Sequence, residues 1–308
     1  MTLTATIGDP GTRITATDDE AGRKLTFKWE AGDQVSVVSV NSSNQLICND
    51  IFTTAEGGPT ATFAGVFNGG ASAAKVVVFY PALTESYVES GKTKWQVPPE
   101  NGYDDEGVLY GLCDSYIWHR SPSYFLQKEL GSPSHLKNYL VLRGEADIND
   151  IKSNNLTVNL EHMTTVLKLR LTLPSPGLTL CNASVYMEKA DGSDLSAVGV
   201  GWGYISRFGS YPMGGNSYAA RICLGSSVSG GNGTGLTAAG TETTLYLPFV
   251  LQPGSSTKYT FTDGQKFVVY VYDSAGREYT ETKQFTGDTD LEPGKLYTIN
   301  SAPVPATP

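Results

Sequence analysis

The 308-residue chain has few of the residues from which active sites and metal sites are usually built. Its 3 histidines, His119, His135 and His162, lie apart, and none has a Cys, Asp or Glu at the spacing of a metal site. No Cys-x-x-Cys pair is present, and no Gly-x-Ser-x-Gly nucleophile elbow occurs in a strand-turn-helix setting. These absences predict a protein that is not an enzyme, with no catalytic residues, no cofactor and no metal.

Long apolar runs and basic clusters are missing as well. No run approaches the roughly 20 apolar residues of a membrane-spanning helix. The net charge of -9, without a cluster of Lys and Arg, disfavours nucleic acid and anionic membrane surfaces as partners. No signal peptide is visible before the strand-like segment from Thr2 to Ile7. We therefore expect a trimmed or mature segment that contacts a membrane only through an N-terminal lipid anchor lying upstream of this chain.

What the chain has is alternation of apolar and polar residues with a period of two, which is typical of β-strands. Leu156, Val158 and Leu160 alternate with polar residues, whereas residues 76–80 are all apolar, as in a central strand covered on both faces. One short helix is predicted over residues 124–130. Strands without intervening helices predict an all-β protein of antiparallel sandwiches.

Two tight turns are predicted in the last third of the chain. Asp263-Gly264 stands between the strand-like residues 259–261 and 267–272, and Asp-Gly favours the positive φ angles of a hairpin turn. Residues 273–276 form a second turn, which returns the chain towards Phe285. Both segments predict antiparallel hairpins.

The length and one polar segment predict two domains. A domain holds about 150 residues on average, so 308 residues suggest two cores. Residues 147–155 are polar and turn-rich between strand-like segments. We therefore predict an N-terminal β-sandwich domain over residues 1–152 and a C-terminal β-sandwich domain over residues 153–308.

The four cysteines leave two interpretations open. Cys48, Cys113, Cys181 and Cys223 divide two to a domain, which would allow two disulfide bridges. Their positions in strand-like segments favour buried free thiols.

Two segments combine aromatic residues with glycines, and they offer the best candidates for a binding surface. Residues 103–124 include Trp118, and residues 201–218 include Trp202 and Tyr204. Exposed aromatic rings on such loops can stack on the faces of sugars, so these three residues are candidate glycan contacts. The alternative is that the rings fill the ends of the sandwiches and the seam between the domains.

An ordered series of landmarks resembles the fimbrillin family, the type V pilins and fimbrillin-like lipoproteins of anaerobic bacteria. The series covers most of the chain, and it is the order of the landmarks rather than any single one that carries the resemblance. The landmarks are Gly11-Thr12-Arg13, Trp29 with Gly32-Asp33, Phe63-Ala64-Gly65, Tyr80-Pro81-Ala82, Pro98, Leu109-Tyr110-Gly111, Leu160-Glu161-His162-Met163, Leu247-Pro248 and Pro293-Gly294-Lys295-Leu296-Tyr297.

The resemblance implies two tandem transthyretin-like β-sandwich domains, export to the outer membrane as a lipoprotein, and a role in fimbriae or adhesion. In family members that polymerise, an arginine-specific protease removes the first strand, and the groove left behind accepts a strand of the next subunit. Leu3, Ala5 and Ile7 would form the buried face of that strand here. Arg13 and Arg23 are the candidate processing sites.

The end of the chain departs from what a polymerising stalk subunit needs. Three of the last residues are prolines, Pro303, Pro305 and Pro308, and proline is a poor strand donor. The expected function is therefore a fimbrial or fimbrillin-like surface adhesin that assembles by strand complementation or serves as a tip or anchor component. Its expected partners are other fimbrial subunits and surface glycans or proteins. The alternative function is a glycan-binding surface lipoprotein, and a hydrolase ranks third.

Overall fold

The computed structural model of the protein shows a chain made almost wholly of β-strands. It describes residues 1–7, 17–19, 24–42, 46–82, 84–89, 92–96, 116–120, 125–138, 142–162, 164–193, 195, 198–199, 202–206, 209–210, 219–228, 232–251, 259–292 and 294–306. The helical part of this description is limited to three short 3-10 helices, Gly70–Ser72, Ser134–Asn138 and Ile148–Asp150. The all-β prediction is confirmed.

The described part of the chain forms 29 strands, β1 to β29 in chain order. Those in the first half are β1 Thr2–Ile7, β2 Thr17–Asp19, β3 Lys24–Thr26, β4 Gln34–Val40, β5 Leu46–Thr54, β6 Thr60–Ala64, β7 Lys75–Tyr80, β8 Thr84–Glu89, β9 Lys92–Gln96, β10 Tyr116–Arg120, β11 Phe125–Gln127, β12 Leu142–Asp147 and β13 Asn155–His162. Those in the second half are β14 Thr164–Thr172, β15 Thr179–Glu188, β16 Val198–Gly199, β17 Trp202–Ser206, β18 Gly209–Ser210, β19 Ala219–Leu224, β20 Ser227–Val228, β21 Asn232–Gly233, β22 Leu236–Thr237, β23 Glu242–Leu251, β24 Tyr259–Phe261, β25 Lys266–Asp273, β26 Glu278–Gln284, β27 Thr289–Leu291, β28 Leu296–Ser301 and β29 Val304–Pro305.

The first sheet closes on itself as a barrel in the strand order β1-β13-β12-β7-β4-β5-β6. Strand β7 lies between β12 and β4, and its residues from Val76 to Tyr80 are all buried, so the predicted central strand is confirmed. Strand β13 alternates buried and exposed residues as the sequence predicts. The barrel encloses the first core, whose largest members are Trp29, Tyr246, Tyr80, Phe27, Phe52 and Phe63.

The second core lies between two sheets. One has the order β11-β19-β15-β25-β26-β29, with β22 paired to β15, and the other has the order β16-β23-β14-β28. Period-two alternation explains their packing: Leu167, Leu169 and Leu171 of β14 face Val185, Val269 and other buried residues of the second core. Most ladders are antiparallel, and three of those described are parallel: β1 with β13, β11 with β19, and β14 with β28.

The two cores meet on strands β14 and β23. Tyr246 of β23 belongs to the first core, while its neighbours Leu245 and Leu247 belong to the second. A buried polar pair fixes this strand, because the Tyr246 amide donates to Oε1 of Gln127 at 3.1 Å and Nε2 of His135 donates to the Tyr246 carbonyl at 2.9 Å. Burial lowers the pKa of His135 to about 4, which keeps the ring neutral at physiological pH.

One hairpin prediction is confirmed and the other is wrong. Strands β25 and β26 pair across the turn at residues 273–276, as predicted. The turn at Gly264 also forms, with φ of 85°, but β24 pairs with β27 instead of β25. Packing of Phe261 in the second core takes β24 away from its sequence neighbour, so long-range packing overrides a local turn signal.

The helix predicted over residues 124–130 is wrong. Residues Phe125–Gln127 form β11, which pairs in parallel with β19. The Gln127 side chain is fully buried, and its amide donates to the carbonyl of Glu129 at 2.8 Å. The same side chain also donates to the Thr244 carbonyl and accepts from the Tyr246 amide, both on β23, so tertiary contacts specify the strand. The predicted stop at Gly131 is a turn, with φ of 76°.

Candidate functional site

The first strand of the chain closes the barrel. β1 pairs in parallel with β13 on one side and antiparallel with β6 on the other. It therefore has hydrogen-bonded neighbours along both edges, although it stands at the start of the sequence. Thr2, Thr4 and Thr6 alternate with apolar residues, and this pattern with its β-branched threonines favours a half-buried strand.

Two of the three predicted face residues are buried in the first core. Leu3 and Ala5 are both 0% exposed, so this strand contributes to the barrel interior as well as to the ladder. Ile7 occupies the next position of the same face in β1, where it stands opposite Leu160. Burying a leucine side chain contributes about 2 kcal/mol relative to leaving it exposed.

The register puts large residues beside Leu3 and smaller residues beside Ala5, so the slot that β1 fills has a defined size profile. Leu3 stands opposite Phe63 of β6 and Leu156 of β13. Ala5 stands opposite Ala61 and Val158. Large side chains therefore surround the Leu3 position, whereas at Ala5 the opposing residue on β6 is itself an alanine. A strand of another sequence would fit this place only if it matched that profile.

Backbone hydrogen bonds at the start of β1 fix its register against the neighbouring segments. The Met1 amine donates to the Gly65 carbonyl at 2.9 Å, and the Gly65 amide donates to the Met1 carbonyl at 3.3 Å. The Thr2 amide donates to the Asn154 carbonyl at 2.8 Å. These bonds set the register that places Leu3 and Ala5 inwards.

Close packing beside the site depends on a glycine. A Cβ at Gly144 of β12 would lie 2.4 Å from the Asn159 carbonyl oxygen and 2.5 Å from Cγ1 of Val158. Strand β12 can therefore approach β13 only because this position has no side chain. Strand β13 in turn forms one wall of the place that β1 fills.

Sequence reasoning missed Gly65, Gly144 and Asn154. Gly65 stands in the Phe63-Ala64-Gly65 landmark, but its bond to the chain start has no sequence signal. Asn154 carried a local signal, because it has φ of 63° in a turn and asparagine tolerates that region. Gly144 stands inside a strand, where glycine often marks a close approach of backbone.

The other predicted site residues are only partly described. Arg13 and Arg23, the candidate processing sites, lie outside the described residues. Trp118 of β10 and Tyr204 of β17 stand directly opposite each other, and Trp202 stands opposite Arg120. Because side chains two positions apart share a face of a strand, the register places all three aromatic positions on one face of this sheet.

The last residues of the chain fold back onto the second core. β29 pairs with β26, and the Ala306 amide donates to the Glu278 carbonyl at 2.9 Å. Glu281 accepts from the Ser301 hydroxyl at 2.7 Å and from the Ala302 amide at 2.6 Å. Although burial acts against it, these bonds and Lys283 lower the pKa of Glu281.

The described residues offer little for redox or metal chemistry. No disulfide joins Cys48, Cys181 and Cys223, and burial raises the pKa of the Cys223 thiol to about 12. No group of three or more His, Cys, Asp or Glu side chains in the described ranges is arranged to hold a metal ion. Within those ranges, no helix has the length and apolar character to cross a bilayer.

No protein-family model matches the chain, and no curated protein matches it. Solved structures do resemble it over nearly its full length. A candidate cell adhesion protein from Bacteroides ovatus is 13% identical with a TM-score of 0.42, and the match covers 99% of this chain and 94% of that one. A candidate adhesin from the same species is 12% identical with a TM-score of 0.38, covering 100% and 94%.

The fimbrial anchor protein Mfa2 from Porphyromonas gingivalis is 10% identical with a TM-score of 0.29, and the match covers 94% of this chain and 82% of that one. These three structures are thus named as adhesion and fimbrial proteins. Identities of this size do not carry a function from those proteins to this one.

Proposed function

We propose that the protein is a fimbrial or fimbrillin-like cell-surface adhesin subunit whose β1 place accepts a strand of another subunit. The position of β1 carries the proposal: a strand at the start of the chain is hydrogen-bonded on both edges and buried through Leu3 and Ala5. Release of β1 exposes the edges of β6 and β13 together with an apolar slot. A partner strand restores both the ladder and the core.

The proposal extends to location and role. The protein acts at the cell surface, in the outer membrane or a fimbrium, after export, and a lipid anchor upstream of this chain holds it there. It binds other fimbrial subunits and works without catalysis. The tail supports a tip or anchor role over a stalk role, because Pro303 and Pro305 lie in a segment that packs on its own β26.

We also propose that the chain forms two tandem transthyretin-like β-sandwich domains, with a boundary later than residue 152. The support is that β13 pairs with β1 and β12 of the first sheet, and that Leu156, Val158 and Leu160 belong to the first core. Strand β11 precedes this boundary in the sequence, but it pairs with β19 of the second half. A boundary at residue 163 fits this pairing.

Strand exchange can be tested with the profile of the slot. After cleavage of the intact chain by an arginine-specific protease, we expect a labelled peptide of residues 1–9 to replace β1. The same peptide with Ala5→Leu should bind at least about tenfold more weakly, because overpacking costs roughly 1–3 kcal/mol. Thr4→Leu is the matched control on the other face and should change binding little. Fluorescence anisotropy measures the exchange, and electron microscopy of the cleaved protein detects assembly.

Two results would count against the proposal. The first is cleavage that yields monomers only, with no peptide uptake at any concentration tested. The second is uptake that is equal for the Ala5→Leu and Thr4→Leu peptides, because a specific slot must distinguish its inner face from its outer face.

The register of β10 and β17 supports a second candidate function, a surface lipoprotein that binds glycans. The negatively charged faces of aromatic rings attract the C–H faces of sugars, and the register puts the positions of Trp118, Trp202 and Tyr204 on one face of this sheet. Trp118→Ala or Trp202→Ala should abolish saturable binding on a panel of neutral polysaccharides in affinity electrophoresis. His119→Ala changes a position on the other face and should leave binding unchanged. Equal loss in all three variants would contradict this function.

A further inference from the structure

Among the described residues of the C-terminal half, strand β28 has an open edge. Strand β28 pairs with β14 along one edge, and no strand of the described residues pairs along its other edge. A groove of about 860 Å³ runs beside it, and five consecutive residues of β28, 296–300, line this groove. Residues from both faces of the strand reach the groove, as expected where a strand presents its edge.

The floor of the groove is the rim of the second core. Phe285, Tyr297 and Ile299 line the groove while half-buried against that core, and the buried Phe267 and Leu291 lie behind them. Phe285 packs on Phe267 with ring centroids 5.0 Å apart. The sandwich is therefore open between its two sheets at this point, with apolar surface beside unpaired backbone.

The edge of β28 lacks the devices that keep strand edges from pairing. Residues Leu296–Ser301 contain no Lys, no Pro and no bulge in their ladder with β14. In the other sheet the edge formed by β29 is protected, because β29 has only two residues, Pro305 is one of them and Pro303 precedes it. The β28 edge, unlike the β29 edge, is therefore suited to pair with a further strand.

The charge of the groove favours one kind of occupant. Its lining includes two cations, Arg170 and Lys283, and no carboxylate, although the chain as a whole has 31 acidic and 22 basic residues. Lys283 already meets Glu281 at 2.5 Å, so its charge is partly balanced, and Arg170 is exposed on β14. Carboxylates entering the groove would meet cations on both sides.

We propose that the β28 edge accepts an extended strand of a second protein subunit, with apolar side chains at alternate positions and carboxylates between them. Backbone pairing with β28 holds the strand, and the apolar positions cover Phe285, Tyr297 and Ile299. This acceptor needs no cleavage and no movement of β1. The protein then offers two strand-binding places, one in each half, to neighbouring subunits.

Designed peptides test the proposal on the intact, uncleaved chain. The probes are three labelled hexapeptides in which valine alternates with glutamate, threonine or lysine. In low salt we expect the glutamate peptide to bind about tenfold more tightly than the lysine peptide, since each partly exposed ion pair contributes up to about 1 kcal/mol. Hydrogen exchange should slow at residues 296–301 on binding, and it should not change at β6 or β13.

Charge reversal supplies the variants. Arg170→Glu together with Lys283→Glu should reverse the preference between the glutamate and lysine peptides, whereas Lys28→Glu, an exposed lysine in the first half, should not. The proposal is overturned if no peptide slows exchange at residues 296–301, or if the reversed variant keeps the original preference. Slowed exchange at β6 and β13 instead would overturn it while leaving the proposal for β1 intact.

Discussion

Replacement of Leu3 by aspartate should lower the melting temperature of the first core by on the order of 10 °C. Leu3 is 0% exposed, opposite Phe63 and Leu156, so the substitution removes a buried leucine and places a carboxylate among apolar side chains. Each effect costs about 2 kcal/mol or more, which is about 4 kcal/mol or more together. Thr4→Asp, one residue along on the outer face, is the control and should lower the melting temperature by a few degrees at most.

The Leu3→Asp variant also tests whether the slot survives without its own strand. Because the variant strand binds poorly, a peptide of residues 1–9 with the natural sequence should occupy the slot in its place. We expect the peptide to restore much of the lost melting temperature and to slow hydrogen exchange at β6 and β13. If Leu3→Asp and Thr4→Asp melt alike, β1 does not contribute to the first core as described.

Replacement of Gly144 by alanine should be the most costly single-methyl change in the barrel. The new Cβ would lie 2.4 Å from a backbone oxygen of β13, which cannot rotate away as a flexible side chain could. Strands β12 and β13 would have to separate, at a cost of about 3 kcal/mol. Denaturant unfolding followed by the fluorescence of the buried Trp29 measures the loss.

Gly240 provides the matched control for that change. A Cβ at Gly240 would have its nearest neighbour at 4.0 Å, so the same substitution should change stability by no more than about 0.5 kcal/mol. A Gly144→Ala variant as stable as Gly240→Ala would show that β12 and β13 are not packed as closely as the structure has them. A Gly144→Ala variant of unchanged stability should also take up β1 peptides as the natural protein does.

The sequence predicted those parts of the fold in which local pattern and burial agree. The alternation of Leu156, Val158 and Leu160 is the alternation of burial in β13, and the apolar run of β7 is a central strand. In β1, Leu3 and Ala5 at alternate positions are both buried. Strand β13 has one covered face, so period two is enough to specify it, whereas β7 is buried on both faces and its continuous apolar run specifies it.

The sequence failed where a strand's partner lies far along the chain. Asp263-Gly264 predicts a hairpin, but β24 pairs with β27, and residues 124–130 look helical but begin with a strand held by Gln127. The contact of β1 with Gly65 has no local signal either. Pairing between distant segments depends on the whole core, so a short window of neighbouring residues cannot predict which strands pair.

The parallel ladder between β1 and β13 has a consequence for the order in which the chain folds. Strand β1 is synthesised well before its partner in residues 155–162, so the barrel cannot close until that later part of the chain is available. Until then β1 can pair only with β6, and the place of β13 beside it is empty. The proposed strand exchange therefore has a second opportunity during folding, when a strand of another subunit would compete with β1 for the incomplete barrel.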